Sequence, residues 1–330
     1  MLNKDLLSRL KRAGALADQR PDLGFVSTGN LALNEVITGD FNKGVPIGGI
    51  TQFIGESSTA KTVFLTHTLI EAQKAGYYAI LNDAENAYSA DFAAKLGLDP
   101  ENLIYMASEC IEDAFDDIEK TIQTIRESDP DTPIVAGLDS LAVLPTKAEL
   151  ESENYDQSQI DGAARAKTTG GCLRRINSKL RGYKVALVII NQLRGKFVTY
   201  GSPDTPASGG RALEYYLQVN IECRSSKTAK SKIMDGDDVV GIKGTLVNTK
   251  NKVSLPFKSC EFELLFDKGL IPYVGVVGAL RRMGEITVPS KGWRQAGETK
   301  FRESEFLSLV YDKTNKDFNK IRDLLGLKLD

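Results

Sequence analysis

The 330-residue sequence predicts an α/β protein built on a doubly wound, mostly parallel sheet, with a short N-terminal helix and a small C-terminal α+β domain. The main observation is that apolar runs alternate with amphipathic stretches, as in repeated strand–helix–strand units. The runs are continuous, which is typical of strands covered on both faces, and they span Ile50–Ile54, Tyr77–Leu81, Leu103–Met106, Ile134–Leu138 and Val185–Ile190. The clearest helical stretch places on one face Ile111, Ala114, Phe115, Ile118, Ile122 and Ile125. Further strands are predicted at Leu217–Cys223, Val239–Asn248 and Cys260–Phe266.

Three segments follow from this pattern. Residues 1–24 form a leucine-containing amphipathic helix and a linker broken by Pro21 and Gly24, so the helix is either an oligomerisation appendage or a helix packed on its own domain. Residues 25–267 hold the predicted sheet. Residues 268–330 turn Gly-rich and then basic, which suggests a small C-terminal domain.

Composition excludes several classes of protein. No apolar run reaches the roughly 20 residues that a membrane-spanning helix needs, and the N-terminus has no signal-peptide pattern. Four separated cysteines and the single histidine His67 argue against a zinc site and favour a reducing cytoplasm. The net charge is −2, yet residues 268–330 carry 12 basic and 8 acidic side chains, a distribution that permits DNA binding.

A phosphate-binding loop is predicted where the first apolar run ends. Such a loop needs a tight turn with exposed backbone N–H groups, a lysine that reaches the phosphates and a hydroxyl that holds magnesium. Gly55, Lys61 and Thr62 meet these requirements. Ala60 stands where the usual pattern has glycine, and we expect it to serve if its backbone is already helical. The predicted nucleotide-binding segment is Gly55, Glu56, Ser57, Ser58, Thr59, Ala60, Lys61 and Thr62.

Two carboxylates follow predicted strands. Asp139 comes directly after Ile134–Leu138, where a carboxylate can reach magnesium, although an aspartate at a strand end also commonly caps a helix. Glu85 follows Tyr77–Leu81 and could polarise an attacking water. Taken alone, Glu85 is more typical of a solvated loop.

Together these motifs resemble the ordered signature of the RecA recombinases. The resemblance spans about residues 25–300 and rests on the phosphate-binding loop and on Asp83-Ala-Glu85, Leu138-Asp139-Ser140, Ile189–Arg194, Gly209-Gly210, Lys250-Asn251-Lys252 and Pro256-Phe257-Lys258. It implies the RecA-type ATPase core. The short N-terminal helix, the Val36–Gly39 segment, the lack of an acidic C-terminal tail and Ala60 are most similar to phage recombinases of the UvsX type.

The resemblance implies a role for each matching residue. ATP and Mg²⁺ would be the cofactors, with Thr62 and Asp139 on the metal and Glu85 as the catalytic base. Gln192 would sense the γ-phosphate, while Lys250 and Lys252 would reach the ATP of a neighbouring subunit. Without the family, the two lysines would be a basic turn at a strand end. The adenine positions hold Ser89 and Phe92, of which Phe92 could stack on the base.

Two polar, irregular stretches correspond to the DNA-binding loops of the family. The first covers Glu151–Gly162, is acidic, and precedes a predicted helix; its candidate DNA contacts are Tyr155, Ile160, Arg165 and Arg174. The second runs from Gln192 to Gly210 and combines cations with aromatic side chains, as single-strand binding requires; its candidates are Arg194, Lys196, Phe197, Tyr200, Gly209 and Gly210. An exposed loop with incidental charge is the alternative.

The predicted function is an ATP-dependent homologous recombinase that forms a helical filament on single-stranded DNA and pairs it with homologous double-stranded DNA in recombination and repair. Single-strand-binding and mediator proteins are expected accessory partners, and no membrane is expected. One alternative is a RecA-like accessory ATPase without strand exchange, which the acidic first loop keeps open. Another is a hexameric helicase motor, disfavoured because helicase rings usually complete the site with an arginine finger.

A basic C-terminal face that gathers duplex is also predicted, with a solvated surface as its alternative; it comprises Arg281, Arg282, Lys291, Trp293, Arg294, Lys300 and Arg302.

Overall fold

A computed structural model describes residues 22–152, 162–193, 210–225 and 231–311, together with Ser8 and Thr228. The helices in these ranges are α1 (Leu31–Thr38), α2 (Lys61–Lys74), α3 (Ala90–Leu96), α4 (Ile111–Ser128), α5 (Lys147–Leu150), α6 (Gly162–Leu180), α7 (Gly210–Tyr216), α8 (Val276–Met283) and α9 (Phe306–Tyr311). The strands are β1 (Phe25–Val26), β2 (Val45–Pro46), β3 (Gly49–Gly55), β4 (Tyr78–Asp83), β5 (Leu103–Met106), β6 (Ile134–Asp139), β7 (Val185–Gln192), β8 (Leu217–Arg224), β9 (Lys232–Asp235), β10 (Asp238–Asn251), β11 (Ser259–Leu265), β12 (Gly269–Leu270), β13 (Trp293–Ala296) and β14 (Thr299–Arg302).

The predicted sheet is present and the fold class is confirmed. Its strand order is β12-β11-β10-β8-β3-β7-β6-β4-β5, with β9 paired to β10. The six strands from β8 to β5 are parallel, and the remaining strands extend the sheet in antiparallel fashion. Because parallel strands end on the same side, the ends of β3, β4, β6 and β7 lie at one edge of the sheet.

Both faces of the sheet are covered by helices. On one face, Phe53 of β3 stacks on Phe64 of α2, with ring centroids 5.6 Å apart, and Phe262 of β11 meets Phe64 edge-on. The close approach of α2 to β6 depends on Gly137, because a Cβ there would lie 2.6 Å from the Leu65 side chain. The first turn of α2 is thereby held close to the end of β6.

The opposite face is covered by α4 and α6. The predicted apolar face of α4 is confirmed, since five of its six members are buried and Ile125 is half-buried against the same cluster; the five are Ile111, Ala114, Phe115, Ile118 and Ile122. An ion pair network also joins the two helices, in which Glu119 of α4 pairs with the Arg175 Nε at 2.9 Å and with the Lys179 ammonium of α6. This network fixes the helix that follows the first predicted DNA loop.

One strand differs from its prediction. Leu103–Met106 is the outermost strand β5, and Tyr105 on it is 46% exposed rather than covered on both faces. A short apolar run has the same sequence signature in a central strand and in an edge strand, because the pattern records side chains and not neighbours.

The sheet extends past the predicted end of the core at residue 267. It continues through β12 at Gly269–Leu270. Helix α8 packs on the same core through Val276, Val277 and Leu280, and Arg282 pairs with the buried Glu35 of α1 at 2.5 Å. The β13–β14 hairpin forms a separate two-stranded sheet.

No helix in the described ranges is long and apolar enough to span a membrane.

Candidate active site

The phosphate-binding loop lies between the end of β3 and the start of α2. Gly55 is required at the turn, because a Cβ there would lie 2.4 Å from the Cys223 carbonyl oxygen and 2.8 Å from Thr59 Oγ1. Thr59 Oγ1 donates to the Glu56 carbonyl at 2.8 Å and closes the loop. Residues 55–62 thus connect β3 to α2, and the N-terminus of α2 is directed at the place where phosphates are predicted to bind.

The expectation of a helical backbone at Ala60 is wrong. Its backbone is not helical but left-handed, with φ 66° and ψ 16°, and it forms the N-cap of α2. A left-handed alanine is strained by its Cβ, by roughly 1–2 kcal/mol. The position therefore has the conformation that favours glycine, and alanine occupies it at a cost in stability.

Replacing Ala60 by glycine should therefore stabilise the protein. We expect the free energy of unfolding of Ala60→Gly to rise by about 0.5–1 kcal/mol, the relief of strain less the greater freedom of glycine in the unfolded chain. Urea denaturation measures it. Ala75→Gly at the other end of α2 is the matched control, because Ala75 has φ −81° and should gain nothing. Equal decreases of stability in both variants would contradict the strain at Ala60.

Lys61 is buried at the first turn of α2. Its Nζ donates to the Glu56 carbonyl at 2.6 Å. Burial lowers the pKa of the ammonium, and the nearby Asp139 and Glu85 carboxylates oppose that shift. A cation held in a partly dry site at the N-terminus of a helix is suited to bind phosphate oxygens.

Asp139 lies at the end of β6, opposite Asp83 of β4 in the parallel register. Burial raises its pKa to about 6, while a hydrogen bond from Thr62 acts in the opposite direction. Its Oδ1 is buried and has no hydrogen-bond partner among the described residues. The structure thus brings together the two residues predicted to face a metal ion.

Glu85 is held in place by the neighbouring strand. Its backbone N–H and that of Ala84 both donate to the Asp139 carbonyl, at 3.1 and 2.7 Å. Its Oε1 accepts from Ser140 Oγ at 2.7 Å and from Gln192 Nε2 at 3.1 Å. The carboxylate is therefore held by residues at the ends of two strands, β6 and β7, although its side chain is exposed. Ser140 was not predicted to orient Glu85; only the register of β4 and β6 reveals it.

Lys250 and Lys252 stand apart from this cluster, on the far side of β8. Both ammonium groups cap the end of α7: Lys250 Nζ donates to the Glu214 carbonyl, and Lys252 Nζ donates to the Tyr215 carbonyl at 3.0 Å. Burial and the neighbouring Lys252 lower the pKa of Lys250. The residues predicted to reach another subunit's ATP thus contact the helix that follows residues 194–209.

The predicted adenine contacts lie on α3. Ser89 is the N-cap of α3, and its Oγ accepts from the Phe92 N–H at 3.3 Å. Phe92 is 42% exposed, so its ring is accessible for stacking.

Of the predicted DNA contacts, Tyr155, Ile160, Arg194, Lys196, Phe197, Tyr200 and Gly209 lie outside the described residues. Gly210 begins α7. Arg165 turns inward: it donates to the Ala142 carbonyl at 3.2 Å and pairs with Glu149 at 3.4 Å. Arg174 Nε donates to Tyr216 Oη at 3.3 Å, which links α6 to α7. A DNA contact by either arginine would require it to leave these partners.

The C-terminal basic residues are also partly engaged within the chain. Arg282 pairs with Glu35, and Arg294 pairs with Glu303 at 2.5 Å. The Arg302 guanidinium lies 5.4 Å from the centre of the Trp293 ring.

A loop of the phosphate-binding type at a strand–helix junction, with a carboxylate at a nearby strand end, is the arrangement of the P-loop nucleoside triphosphatases. Comparison with known proteins then specifies the family. Residues 11–271 match the family model described as the RecA N-terminal domain. The chain is 33% identical to Protein RecA of Mycolicibacterium gilvum over 94% of this chain and 85% of the relative. It is 33% identical to Protein RecA of Bacteroides thetaiotaomicron, over 88% and 83% of the two chains.

The chain belongs to the RecA family. It is a recombinase of homologous recombination and repair, a DNA-dependent ATPase coupled to strand exchange. The RecA-type core predicted from the motifs is confirmed.

Proposed function

We propose that the chain forms a helical filament on single-stranded DNA, binds Mg²⁺ and ATP between adjacent protomers, and pairs the strand with homologous duplex. The observation that carries this proposal is the shared Oε1 of Glu85, which joins the proposed base to Ser140 and to Gln192. Gln192 ends β7, two residues before the segment 194–209. Arrival or departure of a γ-phosphate beside Glu85 would therefore act directly on the start of the second DNA loop.

The residues at the end of β6 fit a magnesium ion. Asp139 Oδ1, a buried carboxylate oxygen that none of the described residues bonds, and the neighbouring Thr62 hydroxyl are oxygen ligands of the kind that Mg²⁺ prefers. The ion would be held by these two residues together with nucleotide phosphates, and it would neutralise charge on the phosphates. In that arrangement Lys61 binds and orients the phosphates, and Glu85 accepts a proton from the attacking water.

Lys250 and Lys252 support the sharing of ATP between protomers. Their ammonium groups lie beyond β8 rather than beside Lys61, where they contact the carbonyls of Glu214 and Tyr215. A site completed by another subunit generates a heterologous interface, and such an interface builds open filaments when it does not close.

Mixing two inactive variants tests the shared site. Lys252→Ala and Lys61→Ala should each hydrolyse ATP poorly, since each lacks one half of every site. Their mixture should recover part of the DNA-stimulated rate, because some junctions then combine an intact half from each protein. Phosphate release at several mixing ratios measures this. If no ratio exceeds the sum of the separate rates, the shared site is wrong.

Second-loop variants test the DNA-binding part of the proposal. Arg194→Ala with Lys196→Ala should flatten the log–log salt dependence of single-strand binding by about 0.7 for each phosphate that the cations no longer neutralise. Phe197→Ala with Tyr200→Ala should weaken binding by roughly 1–3 kcal/mol for each base that the rings stack on, with little change in that slope. Both should abolish the pairing of single strands with homologous duplex. An unmutated protein that binds single strands but never forms D-loops would be an accessory ATPase instead.

The remaining features are proposals of the same kind. We assign residues 1–24 to oligomerisation and residues 25–267, with the sheet's continuation into β12, to the ATPase core with its two DNA loops. We assign the remainder of residues 268–330 to duplex gathering. Ala60 and the Val36–Gly39 segment support a phage-type recombinase acting in the bacterial cytoplasm, with single-strand-binding and mediator proteins as partners. A test is whether the protein exchanges strands coated with a phage single-strand-binding protein more efficiently than strands coated with a bacterial one.

A further inference from the structure

A row of polar side chains crosses the central sheet beside the active site. Asn191 Nδ2 donates to Gln52 Oε1 at 3.3 Å, and Gln52 Nε2 donates to Asn220 Oδ1 at 2.8 Å. Asn220 Nδ2 then donates to Thr249 Oγ1 at 2.8 Å. These four residues, which we call the amide ladder, connect β7, β3, β8 and β10 in that spatial order.

The two ends of the amide ladder coincide with the two halves of the nucleotide site. At one end, Asn191 Oδ1 accepts from the backbone N–H of Gln192, whose side chain contacts Glu85. At the other end, Thr249 precedes Lys250, and Lys250 lies opposite Asn220 in the sheet register. The ladder thus spans the distance between the proposed γ-phosphate sensor and a lysine proposed to serve the neighbouring protomer.

A β-bulge directs the last residue of the ladder. The β8–β10 register shifts between Asn248 and Lys250, which leaves Thr249 as the extra residue. Bulges next to functional sites reorient single side chains. Here the bulge presents the Thr249 hydroxyl to Asn220 and sets the position from which Lys250 leaves the strand.

The ladder is unusual in its surroundings. Gln52 and Asn191 are buried within strands that are otherwise mostly apolar, where an unpaired amide is strongly unfavourable. Each amide donates toward β10, so the hydrogen bonds are aligned head to tail and strengthen one another. A movement at Gln192 that breaks the first bond would therefore weaken the whole row rather than one contact.

We infer that the amide ladder is a positioning network that couples the nucleotide site of one protomer to Lys250 at the other end of the ladder, and so transmits ATP occupancy along the filament. The inference rests on the proposed sharing of ATP between protomers. The four ladder residues act through Gln192 and Lys250, which they hold in mutually dependent positions.

The test uses two threonines of the same sheet, Thr249 on β10 and Thr51 on β3. Thr249→Val removes the hydroxyl that Asn220 requires, whereas Thr249→Ser keeps it. Thr51→Val is the matched control, because Thr51 is fully buried on β3 and its hydroxyl has no hydrogen-bond partner in the part of the chain that the structure describes. For each variant, hydrolysis on single-stranded DNA is measured against ATP concentration, and the thermal unfolding midpoint is recorded.

We expect Thr249→Val to lower the Hill coefficient toward one and to raise the half-saturating ATP concentration at least about fivefold, the low end of typical coupling. Thr249→Ser and Thr51→Val should stay within about twofold of the unmutated protein. A Thr249→Val protein with unchanged cooperativity, or a Thr249→Ser protein that behaves like it, would overturn the inference.

Gln52→Met breaks the ladder at its second residue. If Thr249→Val does not fold, the ATP cooperativity of Gln52→Met tests the inference instead. A variant that combines Gln52→Met with Thr249→Val should have a Hill coefficient no lower than that of either single variant, since the ladder acts as one unit. Additive decreases of the Hill coefficient would overturn the inference. Unmutated protein whose hydrolysis is DNA-stimulated but not cooperative would refute the ladder alone, whereas the absence of DNA-stimulated hydrolysis would refute the proposed function.

Discussion

Lys61→Ala should bind ATP about 100-fold more weakly than the unmutated protein. A charge-assisted hydrogen bond contributes up to roughly 3 kcal/mol, and about 1.4 kcal/mol corresponds to a tenfold change in affinity. Lys61 supplies an ammonium at the first turn of α2, and its Nζ already lies against the loop, on the Glu56 carbonyl. Titration with a fluorescent ATP analogue measures the dissociation constant directly.

Lys74→Ala provides the control for this result. Lys74 ends the same helix, its side chain is 66% exposed, and its ion pair with Glu71 is of the surface kind. Its removal should change neither ATP affinity nor the unfolding midpoint appreciably. Lys61→Ala should also remain folded, because it removes a cation whose burial is unfavourable. An ATP affinity within threefold of the unmutated value would refute the phosphate-binding loop.

The sequence predicted most of the sheet because its strands are long apolar runs separated by helices. The β3, β6 and β7 predictions differ from the structure by at most two residues at either end. The site at their ends followed from the same pattern, since parallel strands deliver their final residues to one edge. Lys61, Thr62 and Asp139 consequently lie together at that edge.

Ala60 shows where local reasoning failed. Alanine has a high helix propensity, which favours a helical backbone at the loop end. The closed loop instead determines the conformation. The Thr59 hydroxyl donates to the Glu56 carbonyl, and the backbone at Ala60 is left-handed before α2 begins. Propensity is a weak preference that a tertiary constraint of this kind overrides.

The amide ladder shows what sequence could not supply. Gln52 and Thr249 are separated by almost two hundred positions, and each taken alone is an isolated polar residue in its strand. Only strand order and the bulge between Asn248 and Lys250 bring them to the same network. Arg165 is similar, because a basic residue after a predicted DNA loop suggests a phosphate contact until Ala142 and Glu149 are seen to bind it.

Glu85→Gln should still bind ATP and DNA, yet hydrolyse ATP about 100-fold more slowly, the usual scale for removing a general base. The change is nearly isosteric. An amide oxygen in place of Oε1 can still accept from Ser140 and from Gln192, so the position of the side chain is preserved while its basicity is removed. Steady-state phosphate release with saturating single-stranded DNA measures the effect.

The same variant separates catalysis from assembly. Because the hydrogen bond to Gln192 survives, Glu85→Gln should form ATP-dependent filaments that persist longer than those of the unmutated protein, as bound ATP is not consumed. Ser140→Ala, which removes one of the two hydrogen bonds that orient the carboxylate, should slow hydrolysis less, by roughly tenfold, and should keep the same pH dependence. Glu101→Gln, an exposed glutamate just before β5, is the control for removal of charge. If Glu85→Gln turned over at a near-normal rate, Glu85 would be a surface carboxylate, and the base would have to be sought elsewhere in the site.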